Sequence, residues 1–98
     1  MHKQEEFQWS HHNFNEASTE MLFRHFNDHE QQALSLLNAE LILPAYQYTL
    51  KCSHDFNVLD ARGAIGVTER ASYLGRVRDL AKGCAEKYVA QLSPNETT

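Results

Sequence analysis

The chain has 98 residues, enough for one compact domain with a single modest core. Its apolar content of 42%, charged content of 22% and formal net charge of −4 are those of an ordinary globular protein. No run of 18 apolar residues is present, which excludes a membrane-spanning segment of that kind, and residues 1–6 lack the apolar region of a secretory signal. We therefore expect a cytoplasmic protein in which Cys52 and Cys84, which lack metal-site spacing, pack as small hydrophobic thiols.

Charge is distributed unevenly along the chain. Residues 1–60 carry nine acidic and three basic side chains, a net charge of −6, whereas residues 61–98 carry four acidic and six basic side chains, a net charge of +2. This mild basic bias in the second part falls far short of the strong basic patch that marks a dedicated nucleic-acid binder.

The first 17 residues show no helical periodicity. Phe7, Trp9 and Phe14 alternate with polar residues, which is typical of an extended arm or a turn of strand. We expect residues 1–17 to be an N-terminal arm or a remnant of cloning, whose aromatic side chains pack on this domain or on a neighbouring one. At the other end, residues 93–98 are predicted to form a disordered tail.

The first helix is predicted over residues 18–38. Ser18 or Asn15 suits the N-cap, Glu20 suits the positive end of the helix dipole, and Asn38 suits the C-terminal end. Apolar residues at three- and four-residue steps predict one face packed on a core. They are Leu22, Phe23, Phe26, Ala33, Leu34 and Leu37.

The second helix is predicted to begin at Pro44 and to end near Phe56. Proline suits the first helical position, because the N–H that it lacks has no intrahelical acceptor there. Apolar side chains occur on two sides of this segment rather than on one. We therefore expect the second helix to be contacted on two faces.

A short extra helical turn is predicted between the second and third helices, over residues 57–62. Asn57 caps it and Gly63 breaks it. For His54 we expect a hydrogen bond that fastens the end of the second helix to this turn. For Asp60 and Arg62 we prefer a structural ion pair, local or across a helix boundary, to a catalytic role.

The third helix is predicted from Val67 to Leu92, with Gly66 or Thr68 as its N-cap and Pro94 just beyond its end. A coiled-coil-like seam with steps of three and four is expected to face the first two helices. Its residues are Leu74, Val77, Ala81, Cys84 and Tyr88. The predicted fold is thus an all-α three-helix bundle with a short extra turn.

Three patterns that could carry chemistry are weak. His25 and His29 share a helix face and provide half of a zinc site, but no third ligand is evident, so a solvated face is preferred. Residues 53–55, Ser-His-Asp, are adjacent in sequence, whereas hydrolytic triads are assembled from distant positions. Residues 63–66 lack the Gly-Lys-Ser/Thr ending of a phosphate-binding loop.

Four basic residues on the third helix are the candidates for contact with a partner. They are Arg70, Arg76, Arg78 and Lys82. One interpretation is a solvated helix face, and the other is contact with RNA phosphate or with an acidic protein surface.

The connection before the third helix resembles the C-terminal helical region of the α subunit of bacterial tetrameric glycyl-tRNA synthetase. The most specific pieces are residues 56–62, Phe-Asn-Val-Leu-Asp-Ala-Arg, and residues 67–70, Val-Thr-Glu-Arg. Residues 43–46, Leu-Pro-Ala-Tyr, add to a co-linear resemblance over residues 13–92. The sequence departs from the family pattern at Gly66, where a capping Ser is expected.

The resemblance implies a parent enzyme that attaches glycine to tRNA(Gly) using ATP with Mg²⁺. It implies as partners the β subunit, a second α subunit and, as a further candidate, tRNA. Because ATP and glycine bind in a preceding class II catalytic domain whose motifs do not occur here, no catalytic residue is carried over. We expect residues 18–92 to be an inactive helical accessory domain without a cofactor that supports subunit architecture or contacts tRNA. The alternative is a stand-alone helical binding module without catalysis.

Overall fold

The computed structural model describes residues 18–92, and these residues form three helices and no strand. They are α1 (Thr19–Asn38), α2 (Ile42–Ala61) and α3 (Val67–Leu92). The predicted all-α three-helix arrangement is confirmed. No helix in this part of the chain has the length and apolarity needed to cross a membrane. The expectations for residues 1–17 and 93–98 lie outside the described residues.

α1 and α3 run in the same direction, and α2 runs back between their ends. Tyr73 near the start of α3 contacts Phe23 near the start of α1, with ring centroids 6.0 Å apart. Further along, the two helices come close at Gly83, where a Cβ atom would lie only 3.3 Å from Cδ1 of Leu37. A side chain at Gly83 would therefore require the Leu37 side chain to shift by a few tenths of an ångström.

α1 begins and ends where the sequence predicts. The Ser18 hydroxyl accepts a hydrogen bond from the Met21 N–H at 3.4 Å, which makes Ser18 the N-cap. After Asn38 the chain turns through Glu40, which has a left-handed backbone with φ of 62°.

The left-handed conformation of Glu40 costs about 1–2 kcal/mol for a residue with a Cβ atom. Three hydrogen bonds hold it. The Glu40 N–H donates to the Leu37 carbonyl at 3.0 Å, and its own carbonyl accepts from the Gln91 side chain at 3.0 Å. Its carboxylate accepts from Lys87 Nζ at 2.8 Å. Glu40 thus ties the α1–α2 turn to the last part of α3.

α2 is longer than predicted at both ends. It begins at Ile42, so Pro44 is its third residue. The first turn tolerates proline there because its backbone nitrogens have no intrahelical acceptor. Residues 57–61 are helical, but they form the last turn of α2 rather than a separate short turn.

The end of α2 is closed by Gly63, whose φ is 70°. The Gly63 N–H donates to the Asp60 carbonyl, and the Ala64 N–H donates to the Leu59 carbonyl, both at 3.0 Å. This pair of bonds is a Schellman motif, which needs a left-handed residue after the helix. Gly63 provides that conformation without strain.

Gly66 caps the start of α3. Its carbonyl accepts the first helical hydrogen bond, from the Arg70 N–H at 2.8 Å. Its N–H donates to the Glu69 carboxylate at 3.4 Å, which is one half of a capping box. The other half would need a hydroxyl at position 66.

The core lies mainly between α1 and α2, with α3 packed across both. Its buried apolar residues are Leu22, Phe26, Ala33, Leu37, Ile42, Ala45, Cys52, Phe56, Val58, Leu59, Ile65, Leu80 and Cys84. Both cysteines are free and buried, as predicted. Leu34 was predicted in the α1 stripe but is 47% exposed. α2 contributes buried residues towards both neighbours, which confirms that it is contacted on two faces.

The predicted seam of α3 is wrong in rotation. Of its five residues only Cys84 is buried and Val77 partly buried, while Leu74, Ala81 and Tyr88 are exposed. The face that packs on α1 and α2 is instead centred on Leu80, which is 3% exposed. Its members are Tyr73, Val77, Leu80 and Cys84, again at steps of four and three. Two overlapping seams exist on α3, and the prediction took residues from both.

We expect Leu80→Ala to lower the free energy of unfolding by about 2–4 kcal/mol, because it leaves a cavity where α3 meets the core. Leu34→Ala is the matched control and should change it by no more than about 0.5 kcal/mol, since Leu34 is exposed on α1. Urea denaturation followed by circular dichroism measures both. Equal losses for the two variants would show that Leu80 is not the anchor of α3.

Candidate functional site

Arg76 of α3 is bound to α1. Its Nε donates to one carboxylate oxygen of Glu30 at 2.9 Å, and one of its Nη atoms donates to the other oxygen. The same Nη also donates to Oδ1 of Asn27 at 2.9 Å. Hydrogen bonding to Glu30 raises the pKa of the Arg76 guanidinium above its ordinary value. The side chains of Arg76 and Glu30 are 34% and 14% exposed, so this bidentate ion pair is partly shielded from water.

Aromatic rings surround the same guanidinium. Its central carbon lies 4.8 Å from the Phe26 ring centroid and 4.9 Å from that of Tyr73, both within the range of a cation–π contact. Tyr73 meets Phe26 edge to face at 4.9 Å and lies 6.5 Å from Phe56 of α2. Arg76 thus joins α3 to α1 through two kinds of contact, and Tyr73 connects this cluster to α2. A partner of the domain would have to compete with Glu30 for this side chain.

Arg70 is also paired within the domain. Its Nη2 lies 3.2 Å from Asp60 Oδ2, which links the start of α3 to the end of α2. Asp60 therefore forms an ion pair across the helix boundary, which was one of the two arrangements expected for it, but its partner is Arg70. One Nη atom of Arg62 is buried and has no hydrogen-bond partner.

Arg78 and Lys82 differ from the other two bases. Both are exposed on α3, one helical turn apart. Within residues 18–92 neither side chain has an ion-pair or hydrogen-bond partner. Of the four basic candidates, these two are free to meet another molecule, and their role in partner contact stays a prediction.

His29 and Asp55 form a pair that connects α1 to α2. Nδ1 of His29 lies 2.6 Å from Oδ2 of Asp55, whose side chain is only 7% exposed. The His25 ring lies 5.9 Å from His29, and the Tyr48 ring lies 5.8 Å from it on the other helix. His29 is thus committed to a buried carboxylate. Residues 53–55 do not form a triad, because Asp55 points to α1.

The Cys52 thiol lies beside this pair. Its Sγ donates to the Phe26 carbonyl at 3.7 Å. Burial raises the pKa of Cys52 from 9.0 to about 12, and the nearby carboxylates of Asp55 and Glu30 act in the same direction. The thiol is therefore protonated at neutral pH, so it is a packing group and not a nucleophile.

The other residues predicted at the turn have distinct positions. His54 and Asn57 are exposed on α2, and neither side chain has a hydrogen-bond partner within the described part of the chain. The Schellman bonds of Gly63 and Ala64 fasten the turn instead. This local backbone motif could have been anticipated from Gly63 alone.

An open apolar groove lies between the first part of α2 and the last part of α3. Its volume is about 260 Å³, and it is lined by Ile42, Leu43, Tyr46, Ala81, Cys84, Ala85 and Tyr88. Leu43, Tyr46 and Tyr88 on its rims are exposed by 45% or more. The groove offers contact area to an apolar side chain, but no charged group for a polar ligand.

Within residues 18–92, no three His, Cys, Asp or Glu side chains come together to hold a metal ion.

With its three helices, the Gly63 turn and the Arg76 ion pair described, the chain can be compared with known proteins. A family model described as glycyl-tRNA synthetase alpha subunit matches residues 1–93. The chain belongs to this family. The match spans nearly all of the chain and extends over the segment before α1. It confirms the resemblance that residues 56–62 and 67–70 carry most specifically.

Removing the Arg76 ion pair should destabilise the domain. In a double-mutant cycle of Arg76→Gln and Glu30→Gln we expect a coupling energy of about 1 kcal/mol, because the pair is bidentate but remains in contact with water. Arg78→Gln is the matched control and should change stability by no more than about 0.5 kcal/mol. Chemical denaturation of the four chains of the cycle measures the coupling. A coupling near zero would mean that the ion pair does not contribute to the attachment of α3.

Native Cys52 should resist alkylation. At pH 9 we expect iodoacetamide to modify it far more slowly than in the denatured chain, because the folded thiol stays protonated and buried. Since its folded pKa is raised, its contribution to stability is complete below pH 9.0 and is lost as the pH rises towards about 12. Peptide mass spectrometry gives the rate at Cys52 itself. Labelling as fast as in the denatured chain would contradict the burial of this thiol.

Proposed function

We propose that residues 18–92 are a helical accessory domain of a glycyl-tRNA synthetase α subunit, with an architectural and not a catalytic role. The single observation that carries this proposal is the family match over residues 1–93. The whole enzyme would act in the cytoplasm, attach glycine to tRNA(Gly) with ATP, and assemble from α and β subunits. This domain would present surfaces to the β subunit or to the second α subunit.

The distribution of bound and free side chains supports an architectural role. Arg70 and Arg76, half of the basic candidates, are held by Asp60 and Glu30 and are not available to phosphate without breaking an internal pair. By contrast, apolar side chains remain exposed along the groove between α2 and α3. Exposed apolar side chains suit a protein surface better than RNA.

Contact with tRNA is the second candidate. The observation that favours it is the position of Arg78 and Lys82, exposed one helical turn apart and without an internal partner in the described residues. Two cations supply a weak, salt-sensitive site at most. Such a contact would add to binding elsewhere on the enzyme.

Charge reversal distinguishes the two candidates. In the full α subunit, assembled with its β subunit, Arg78→Glu with Lys82→Glu should weaken assembly if this face meets a protein. It should raise the KM for tRNA without changing assembly if this face meets tRNA. Gel filtration and steady-state aminoacylation measure the two outcomes. Arg76 is left out because its reversal would place a carboxylate against Glu30.

Arg24→Glu with Lys51→Glu is the control for net charge, because it makes the same charge change on exposed positions of α1 and α2, where Arg24 pairs with Glu20 at 3.6 Å and Lys51 lies 4.7 Å from the Tyr48 ring centroid. If both double variants assemble and aminoacylate like the unmodified enzyme, the α3 charges have no partner. If both lose activity equally, the effect is one of net charge and does not support a specific surface.

The 98-residue chain should show no glycine-dependent exchange of pyrophosphate into ATP. The physical reason is that this reaction needs groups to bind ATP, Mg²⁺ and glycine together, and the motifs of the catalytic domain expected to supply them do not occur in the sequence. The full α and β subunits serve as the positive control. Exchange by the 98-residue chain above the rate of a Leu80→Asp variant, which should unfold, would overturn the proposal of a non-catalytic domain.

A further inference from the structure

The turns after α1 and after α2 use the same backbone motif. At the end of α2, Gly63 has a φ of 70°. At the end of α1, Glu40 has a φ of 62° and donates its N–H to the Leu37 carbonyl at 3.0 Å. The Leu41 N–H donates to the Leu36 carbonyl at 2.9 Å, five residues back. Both turns are therefore Schellman motifs, whose left-handed position favours glycine.

Glutamate at this position strains the backbone, whereas glycine at position 63 does not. Strained residues persist where the surrounding structure holds them, and they are frequent at sites with a function. The Glu40 carboxylate accepts a hydrogen bond from Lys87 Nζ at 2.8 Å, and the Glu40 carbonyl accepts one from the Gln91 side chain at 3.0 Å. We call these two contacts the latch. Both donors belong to the last two turns of α3.

The last two turns of α3, residues 85–92, project beyond the core. We call them the flap. The face of α3 that packs on the core is its inner face, which consists of Tyr73, Val77, Leu80 and Cys84. No residue of the flap is buried. Gly83 lies at the base of the flap, and glycine in a helix interior weakens the helix at that point.

The flap forms one wall of the apolar groove. Ala85 and Tyr88 of the flap line the groove on one side, and Tyr46 of α2 lines it on the other. Cys84 is only 4% exposed at the base of the flap, and its Sγ lies 3.7 Å from Oγ1 of Thr49 on α2. Movement of the flap away from α2 would therefore widen the groove and uncover the Cys84 thiol.

We propose that the flap is a lid on the groove, held closed by the latch, and that Cys84 and the apolar walls become accessible when the latch opens. This proposal goes beyond the architectural role proposed above, because it assigns a moving part to the domain. The latch controls how much apolar surface the domain presents between α2 and α3.

The latch and the inner face differ in strength. The Lys87 and Glu40 side chains are 39% and 59% exposed, and exposed ion pairs are weak and screened by salt. The inner face is held by the bidentate pair of Arg76 with Glu30, whose side chain is only 14% exposed. The flap can therefore move while the rest of α3 stays attached to α1.

Alkylation of Cys84 in the 98-residue chain tests the proposal. With iodoacetamide at mildly alkaline pH, we expect Glu40→Gly and Lys87→Met each to raise the rate at Cys84 about two- to fivefold, as the strength of an exposed ion pair implies. Lys82→Met, the same change at an exposed position of α3, should leave the rate unchanged. Peptide mass spectrometry also gives the rate at Cys52, which lies between α1 and α2 and serves as the internal control.

Glu40→Gly distinguishes a latch from a contact that only stabilises the fold. It removes the carboxylate and leaves a residue that adopts the left-handed backbone without strain. We therefore expect the midpoint of thermal unfolding to stay the same or to rise while Cys84 becomes more reactive. Salt at about 1 M, where the Debye length is about 3 Å, should accelerate alkylation of Cys84 in the unmodified chain but not further in either latch variant.

A rate at Cys84 that either latch variant leaves unchanged would overturn the proposal. Equal acceleration at Cys52 and Cys84 would also overturn it, because the whole domain and not the flap would then be opening. The same holds for an effect of Lys82→Met as large as that of Lys87→Met. A lower thermal midpoint for Glu40→Gly would make Glu40 a contact needed for folding and would count equally against a latch.

Discussion

The guanidinium of Arg76 sets the rotation of α3, and the two faces of that helix follow from it. Glu30 accepts its hydrogen bonds, and the ring centroids of Phe26 and Tyr73 lie 4.8 and 4.9 Å from its central carbon. With this side chain fixed towards α1, Leu80 and the rest of the inner face are turned into the core. The outer face of α3, which includes Leu74, Ala81 and Tyr88, is then turned to solvent. Because few residues of α3 contact α1, the Arg76–Glu30 ion pair has a larger effect on the rotation of α3 than it would have in a tightly packed bundle.

Local signals were enough to predict where α1 and α3 begin and end. The Ser18 cap and the Gly66 cap act within one turn of the chain, so they are readable from sequence. The start of α2 could not be read from the sequence, because proline is tolerated at any position of a first helical turn. Pro44 therefore did not fix which residue begins the helix. The rotation of α3 was not readable either, since two apolar seams overlap and the choice between them depends on long-range contacts, such as that of Arg76 with Glu30, 46 positions away.

The candidate site shows the same division between local and long-range information. Four bases on one predicted helix were visible in the sequence, but their separation into two bound and two free side chains depends on Asp60 and Glu30, which no spacing rule connects to α3. The family could be identified from the sequence because residues 56–62 and 67–70, on either side of the Gly63 turn, are specific in order as well as in type. No sequence pattern indicates that His29 and Asp55 pair. Each residue fits a different local pattern instead: His29 shares a helix face with His25, and Asp55 ends the Ser-His-Asp run.

The exposed apolar face of α3 is better explained by contact with another molecule than by chance. In a domain of this size, every apolar residue left in water forgoes part of a small total stability. Polar residues at the exposed positions of this face, such as Leu74, Ala81 and Tyr88, would cost the fold little, because none of them is buried. Exposed apolar side chains of this kind are typical of interaction surfaces. Two arginines only two residues apart on α3 therefore have opposite surroundings: Arg76 is held by Glu30 within the domain, whereas Arg78 is exposed without an internal partner in residues 18–92.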